Sequence, residues 1–223
     1  MSLIPANTIS QLVRLIEATP FSTSTKLVAI DGRGGSGKSS LAEALVRTSL
    51  KAQLVHVDDF PCTEHEYPFH PSGTQTRVNL VRLISEVLVP LRAGKRAEYQ
   101  KTPWWTSHFQ HPNASLVATP GGTVIVEGCY ALHRIARELF DLRIWVDCPP
   151  SVGIERALIR DKSPEIRDIW RDVYVPNESA YISAHRPQDA ADIVIYNDFE
   201  NLFVIDEERY TQILRQIRQS EDR

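Results

Sequence analysis

The chain has 223 residues, 42% hydrophobic and 24% charged, with a net charge of −3 at neutral pH. That is enough chain for one large domain with a substantial core. The acidic balance argues against the basic face that sequence-independent binding to a nucleic-acid polymer requires. Cys62, Cys129 and Cys148 form no C-x-x-C pair, so neither a zinc site nor a disulfide framework is expected, and each reads as a small buried apolar residue. No apolar run approaches the length of about 18 that a membrane span needs, and Met1–Ala18 lacks a basic segment followed by an apolar core. A cytoplasmic protein without membrane partners is the expectation, and whether it is a homo-oligomer is left open.

In chain order, Ile9, Leu12, Val13, Leu15 and Ile16 have helical spacing, and Pro20 follows; a packing helix is expected over 4–18. Leu27-Val28-Ala29-Ile30 reads as the first strand. It runs into Gly32-Arg33-Gly34-Gly35-Ser36-Gly37-Lys38-Ser39, the G-x-x-x-x-G-K-S pattern, followed by Ser40 and a helix-like run to about Leu50. The glycines let successive N–H groups turn inward on phosphate oxygens at a helix N-terminus. Lys38 then reaches the outer phosphates and Ser39 can bind Mg²⁺. Strand two is expected at Gln53–Val57, ending in Asp58-Asp59-Phe60, where ligands of open α/β sheets gather.

Residues 61–73 read as an irregular Pro-rich loop, with His65 and His70 as surface or packing residues. A helix is expected from about Thr76 to Leu91. The stretch from Tyr99 to Ala118 is polar and aromatic, and its adjacent Trp104 and Trp105 cannot share a face of a regular element. It reads either as an aromatic wall for a planar ring or as a packed insertion. Thr123–Glu127 is a continuous β-branched strand buried on both faces, and its closing Glu127 suits the water shell of Mg²⁺. A helix over Ala131–Phe140, a strand over Asp141–Asp147 and an arginine-rich helical stretch from Ser151 to Arg171 follow. Arg156, Arg160, Arg167 and Arg171 read either as solvated ion pairs or as a lid closing on a phosphate. A strand at Ala191–Tyr196, an extended segment from Phe199 to Ile205 and a helix over 206–220 close the chain. Strands alternating with helices predict an α/β fold with a parallel, doubly wound sheet.

These pieces, from about Lys26 to Tyr196, resemble the uridine kinase branch of P-loop kinases, with phosphoribulokinase, pantothenate kinase and nicotinamide riboside kinase. The resemblance is carried by the loop, by Val57-Asp58-Asp59-Phe60, by Val126-Glu127-Gly128, by Asp141–Asp147, by Arg156–Asp161 with Arg167-Asp168, and by Ala191–Ile195. It implies a P-loop NTPase fold with a five-stranded parallel sheet of order 2-3-1-4-5. It implies a single kinase domain over 1–223, with a short lid at about 156–175 and a substrate-side insertion at about 61–118. Asp58 matches the carboxylate that takes the acceptor proton. Ser39 and Glu127, with Asp58, match the Mg²⁺ shell; Arg160 and Arg167 match phosphate-contacting lid arginines. Arg156 matches an arginine near substrate or hinge, and Asp59, Phe60, Tyr99 and Trp104 fall on the acceptor side. ATP and Mg²⁺ are the implied cofactors. The chain departs from uridine kinases at Tyr99-Gln100-Lys101-Thr102-Pro103-Trp104, where the family's acid after the tyrosine is missing and Trp104 stands at the base-reading histidine.

The expectation is therefore a kinase moving the γ-phosphate of ATP to a hydroxyl of a small-molecule substrate, most readily a nucleoside. A non-nucleoside alcohol (pantothenate-like, or a sugar phosphate held by Lys95, Arg96 and Lys101) is the alternative acceptor. A nucleotide-binding regulatory module without turnover is the alternative class.

Overall fold

A computed structural model describes residues 4–48, 50–62, 77–101, 114–161, 164–198, 200 and 202–221. Trp104, Trp105, His65 and His70 lie outside the described residues. The centre is a six-stranded sheet of order β2-β5-β1-β6-β7-β8. Its strands are β1 (Thr25–Gly32), β2 (Gln53–His56), β5 (Gly122–Glu127), β6 (Leu142–Asp147), β7 (Ile193–Tyr196) and β8 (Val204–Ile205). The first five are parallel and take the expected order. β8 adds a short antiparallel edge to β7; among the described residues of the extended segment expected over 199–205, the last two pair in the sheet.

β1 is buried at every position. Leu27 and Ala29 face one apolar cluster and Val28 and Ile30 the other, so both faces of the sheet are covered. That is why the strand reads as an unbroken apolar run rather than an alternation. One face is packed by α1 (Ala6–Ala18), α2 (Lys38–Val46) and α9 (Glu207–Glu221). The other is packed by α3 (Leu80–Leu83), α4 (Val89–Arg92) and the turns after β5.

Three expectations are corrected. The helix placed at 76–91 begins at Leu80, where the Asn79 side chain caps the Arg82 N–H at 3.0 Å. The helix placed at Ala131–Phe140 is a series of turns with one 3₁₀ turn, Arg137–Leu139. There the Leu132 N–H goes to the Asp31 carboxylate, and Ala131 and His133 bond three residues back, so the α ladder does not start. The polar stretch after Gly94 contains an antiparallel hairpin, β3 (Ala97–Lys101) with β4 (Ala114–Ala118). Ala97 and Tyr99 are buried while Glu98 and Gln100 are exposed, a strand alternation too short to stand out among aromatics.

The arginine-rich stretch expected over 151–171 is helical in its described residues: α5 (Pro150–Asp161), α6 (Pro164–Ile169) and a π turn at Trp170–Tyr174. It continues into α7 (Val175–His185) and, after a left-handed Arg186, α8 (Pro187–Ala190). A second π turn, Ile84–Leu88, joins α3 to α4. Each π turn lies immediately before a segment with proline in its first two positions, Pro90 and Pro176. Proline lacks the N–H and its ring clashes with the carbonyl four residues back; the wider turn accommodates both.

Candidate active site

The site lies at the carboxyl ends of β1, β2 and β5. β1 delivers Gly32, and the chain turns through Arg33–Gly37 before α2 begins at Lys38. Ser36 N–H bonds Arg33 O at 3.1 Å, and Leu41 N–H bonds Gly37 O at 3.0 Å, fixing the turn to the helix. Gly35 has φ +74°, and a Cβ there would overlap the Gly153 carbonyl of α5. Only glycine allows both that backbone and that approach. The Asn197 side-chain amide, just after β7, donates to Ser36 O at 2.6 Å and holds the loop from the opposite side.

Lys38 is buried and donates to Arg33 O at 3.3 Å. Burial opposes its charge, but Glu127, Asp58 and Glu178 around it outweigh that, and its pKa rises. Ser39 Oγ donates to Glu127 Oε2 at 3.1 Å, and His56 Nδ1 lies 2.6 Å from Glu127 Oε1. Burial alone would raise the Glu127 carboxyl; the contacts with His56, Lys38 and Ser39 win and lower it. His56 in turn is raised by its bond to Glu127. Asp58 sits in the 3₁₀ turn Val57–Asp59 that ends β2. As a whole residue Asp58 is exposed; partial desolvation of its carboxyl raises the pKa, with Lys38 opposing and Glu127 reinforcing. The loop, Lys38, Ser39, Asp58 and Glu127 are thus brought together, as the sequence led us to expect.

Other candidates fall elsewhere. Asp59 is buried and paired with Lys101 Nζ at 2.9 Å. Phe60 is fully buried and stacks on Tyr99 at 4.9 Å between ring centroids. Tyr99 is also buried, and the stacked pair braces the Asp58–Asp59 turn. The Arg156 guanidinium donates to Asn197 O at 2.9 Å and Asp198 O at 3.0 Å, clamping the chain after β7. Arg160 is exposed at the end of α5. Arg167 is exposed and borders a groove of about 570 Å³ along Ser151, Ile154, Glu155 and Leu158 of α5. Gly153, which meets the phosphate loop, is on another side of that helix.

Sequence reading missed His56, Asp31, Asn197, Trp170, Tyr181 and Glu178. The first three directly flank strand ends, which was a usable signal; the last three meet the loop only through tertiary packing. Asp31 accepts from Gly32 N (2.6 Å), Leu132 N (2.9 Å) and Tyr181 Oη (2.6 Å). Burial nevertheless pushes its pKa up to about 6. An unfolded aspartate titrates near 3.9, so between about pH 4 and 6 the folded state holds a proton that the unfolded state has lost. The Asp31 contribution to stability therefore falls as pH rises through that window and stays low above it. Asp31→Asn is expected to remove this slope. Relative to the parent it should gain up to about 3 kcal/mol between pH 4 and 6. Denaturant titrations at pH 4, 5 and 6 check this, and a pH-independent difference would mean that Asp31 titrates normally.

A nucleotide's phosphates suit the residues present. Ser36 Oγ and Arg33 Nη1 are buried at the loop and have no hydrogen-bond partner among the described residues. Ser39, Asp58 and Glu127 offer the hard oxygens that Mg²⁺ prefers. Among the described residues no three His, Cys, Asp or Glu form a metal cage, and Mg²⁺ characteristically keeps several waters rather than using one.

No family model matches the chain. It is 26% identical over 203 residues to a uridine kinase of Staphylococcus haemolyticus, covering 82% of this chain and 92% of that protein. It is 26% identical over 184 residues to a uridine kinase of Saccharomyces cerevisiae, covering 72% of this chain and only 35% of that longer protein. Among solved structures, a possible uridine kinase from Bacillus stearothermophilus matches at TM-score 0.63 and 20% identity, over 84% of this chain and 97% of that one. A D-glycerate 3-kinase from Cryptococcus neoformans matches at TM-score 0.53 and 15% identity, over 88% and 94%. At such identities the structural matches speak for the fold alone. In fold, loop and sequence the chain is similar to P-loop kinases of small molecules. The relatives it resembles in sequence are named uridine kinases.

Proposed function

We propose that the chain transfers the γ-phosphoryl group of ATP, with Mg²⁺, to a hydroxyl of an uncharged small metabolite, a nucleoside or close ribosyl relative. The observation that carries this reading is the juxtaposition of Asp58 with Lys38 and the Ser39–Glu127 pair at the mouth of the phosphate loop. The loop amides and Lys38 would bind and orient the phosphates. Ser39 and Glu127 would hold Mg²⁺, which supplies charge neutralisation during transfer. Asp58, a base with a raised pKa, would orient the acceptor hydroxyl and take its proton at a carboxylate oxygen. The lid at about 156–175 and the acceptor-side insertion at about 61–118 belong to the same reading, with Arg160 as the lid arginine nearest the loop-facing side of α5.

Charge supports an uncharged acceptor. Lys101 is already paired with Asp59, and Arg82 is held by Glu86 through two bonds. Lys95 and Arg96 precede β3, at the opposite end of that strand from Lys101. Residues 63–76 and 102–113 contain no lysine or arginine. A phosphorylated acceptor would face the carboxylates of Asp58 and Glu127, with Arg77, buried and bonded through its backbone to Cys62, as a described cation on that side. The relatives in sequence are named uridine kinases, which favours a nucleoside.

ADP release should be measured with ATP, Mg²⁺ and a panel of uridine, cytidine, other nucleosides, nicotinamide riboside, pantothenate and pentose phosphates. A nucleoside is expected to drive release and pentose phosphates are not. Preference for a phosphorylated acceptor would overturn the charge argument.

A further inference from the structure

Glu178 lies on α7, 144 positions along the chain from Gly34, yet its Oε1 accepts from the Gly34 N–H at 2.8 Å. The residue is only 7% exposed. Cys129 Sγ, which donates to Gly32 O at 3.1 Å, lies 3.6 Å from the same carboxylate oxygen. Trp170, from the π turn ahead of α7, covers the loop so closely that a Cβ on Gly34 would collide with its indole ring. The charge of Glu178 is also felt by Lys38. A loop whose amides are arranged to receive an anion has therefore already received one, from its own chain.

The fit is not seamless. Asn177, the preceding residue, keeps a buried Nδ2 with no partner among the described residues. A buried donor left unmade costs free energy, so the closed arrangement carries a penalty. A carboxylate and an outer phosphate also cannot share this corner of the loop without like-charge repulsion at close range.

We infer that Glu178 is an internal phosphate mimic: in the nucleotide-free protein its carboxylate occupies the Gly34 amide beneath Trp170, on a helix that Tyr181 also ties to Asp31, so a nucleoside triphosphate binds only by displacing that carboxylate. The inference rests on the proposed reading that this loop takes nucleotide phosphates. Apparent affinity is then reduced by the fraction of molecules that are open.

The test is a titration of Mg²⁺·ATP by calorimetry against the parent chain, Glu178→Ala, Glu178→Gln and Lys38→Ala, each first checked for folding by circular dichroism. If the closed form outnumbers the open one about ten to one, Glu178→Ala binds about tenfold tighter than the parent. Glu178→Gln keeps an oxygen acceptor without the charge and falls between the two. Unchanged or weaker binding in both variants overturns the inference, because Glu178 then merely braces the loop. If Glu178→Ala does not fold, the Gln variant decides on the same criterion. Parent binding that Lys38→Ala abolishes upholds the nucleotide reading independently of Glu178. Absence of binding in the parent and in both Glu178 variants overturns that reading, and the inference with it.

Discussion

Asp58→Asn is expected to lower turnover by about 10²–10⁴, the range that a positioned base contributes, while Mg²⁺·ATP still binds. The substitution is isosteric, so the 3₁₀ turn that carries residue 58 should survive. What it removes is the carboxylate that can accept a proton beside Lys38. ATP affinity should hold or tighten slightly, because one of the negative charges facing the phosphates is gone. Rates under acceptor saturation, with a parallel ATP titration, separate the two effects. An Asn variant with near-parental turnover would remove Asp58 from the mechanism. The raised pKa gives a second readout. The base works only when deprotonated, so the rate should fall as pH drops through a value above the ordinary aspartate range, and the residual Asn rate should lack that limb.

Lys38→Ala is expected to lose both nucleotide affinity and turnover, the latter by at least about 10²–10³, as for loss of a preorganised charge-stabilising donor. The side chain is buried and surrounded by Glu127, Asp58 and Glu178, and it is the loop's own lysine. Removing it leaves those carboxylates without their shared cation, so the melting temperature should fall as well. Lys38→Arg should not rescue binding, because a planar fork does not replace a compact ammonium in a buried slot. Unchanged ATP affinity in the alanine variant would count against the loop as the phosphate site.

The catalytic half of the site was legible in the sequence because its elements are local. The phosphate loop is contiguous, and β1 and the end of β5 are buried on both faces and so appear as unbroken apolar runs. Glu127 could be placed because it ends such a strand, and Asp58 because it sits in the turn directly after β2. The acceptor half was harder to read. Phe60 and Tyr99 are read as acceptor-side residues from the resemblance alone; that they stack on each other, buried, depends on the hairpin pairing, which the sequence does not announce. Arg156 has the chemistry of a phosphate ligand, and its two backbone carbonyl partners are about 40 positions away in sequence. The turns of 131–140 carry helix-like apolar spacing, and the competing partner, the Asp31 carboxylate, lies 101 positions upstream of Leu132. Glu178 was invisible for the same reason.

The π turn at Trp170–Tyr174 has a mechanical consequence. A helix is stiff because each turn is clamped by its i→i−4 ladder; a π turn followed by Pro176 interrupts that ladder at one place. Bending there sacrifices fewer hydrogen bonds than bending anywhere else along the helical run. Trp170 stands at the start of this compliant joint and Glu178 just past it, so the two groups that press on the loop are carried on opposite sides of a hinge. The segment bearing Glu178 can shift against Gly34 at this joint while α5 stays seated on the loop through Gly153. The motion is localised, and the Tyr181 hydroxyl on Asp31, carried by the same helix, sets part of what opening costs.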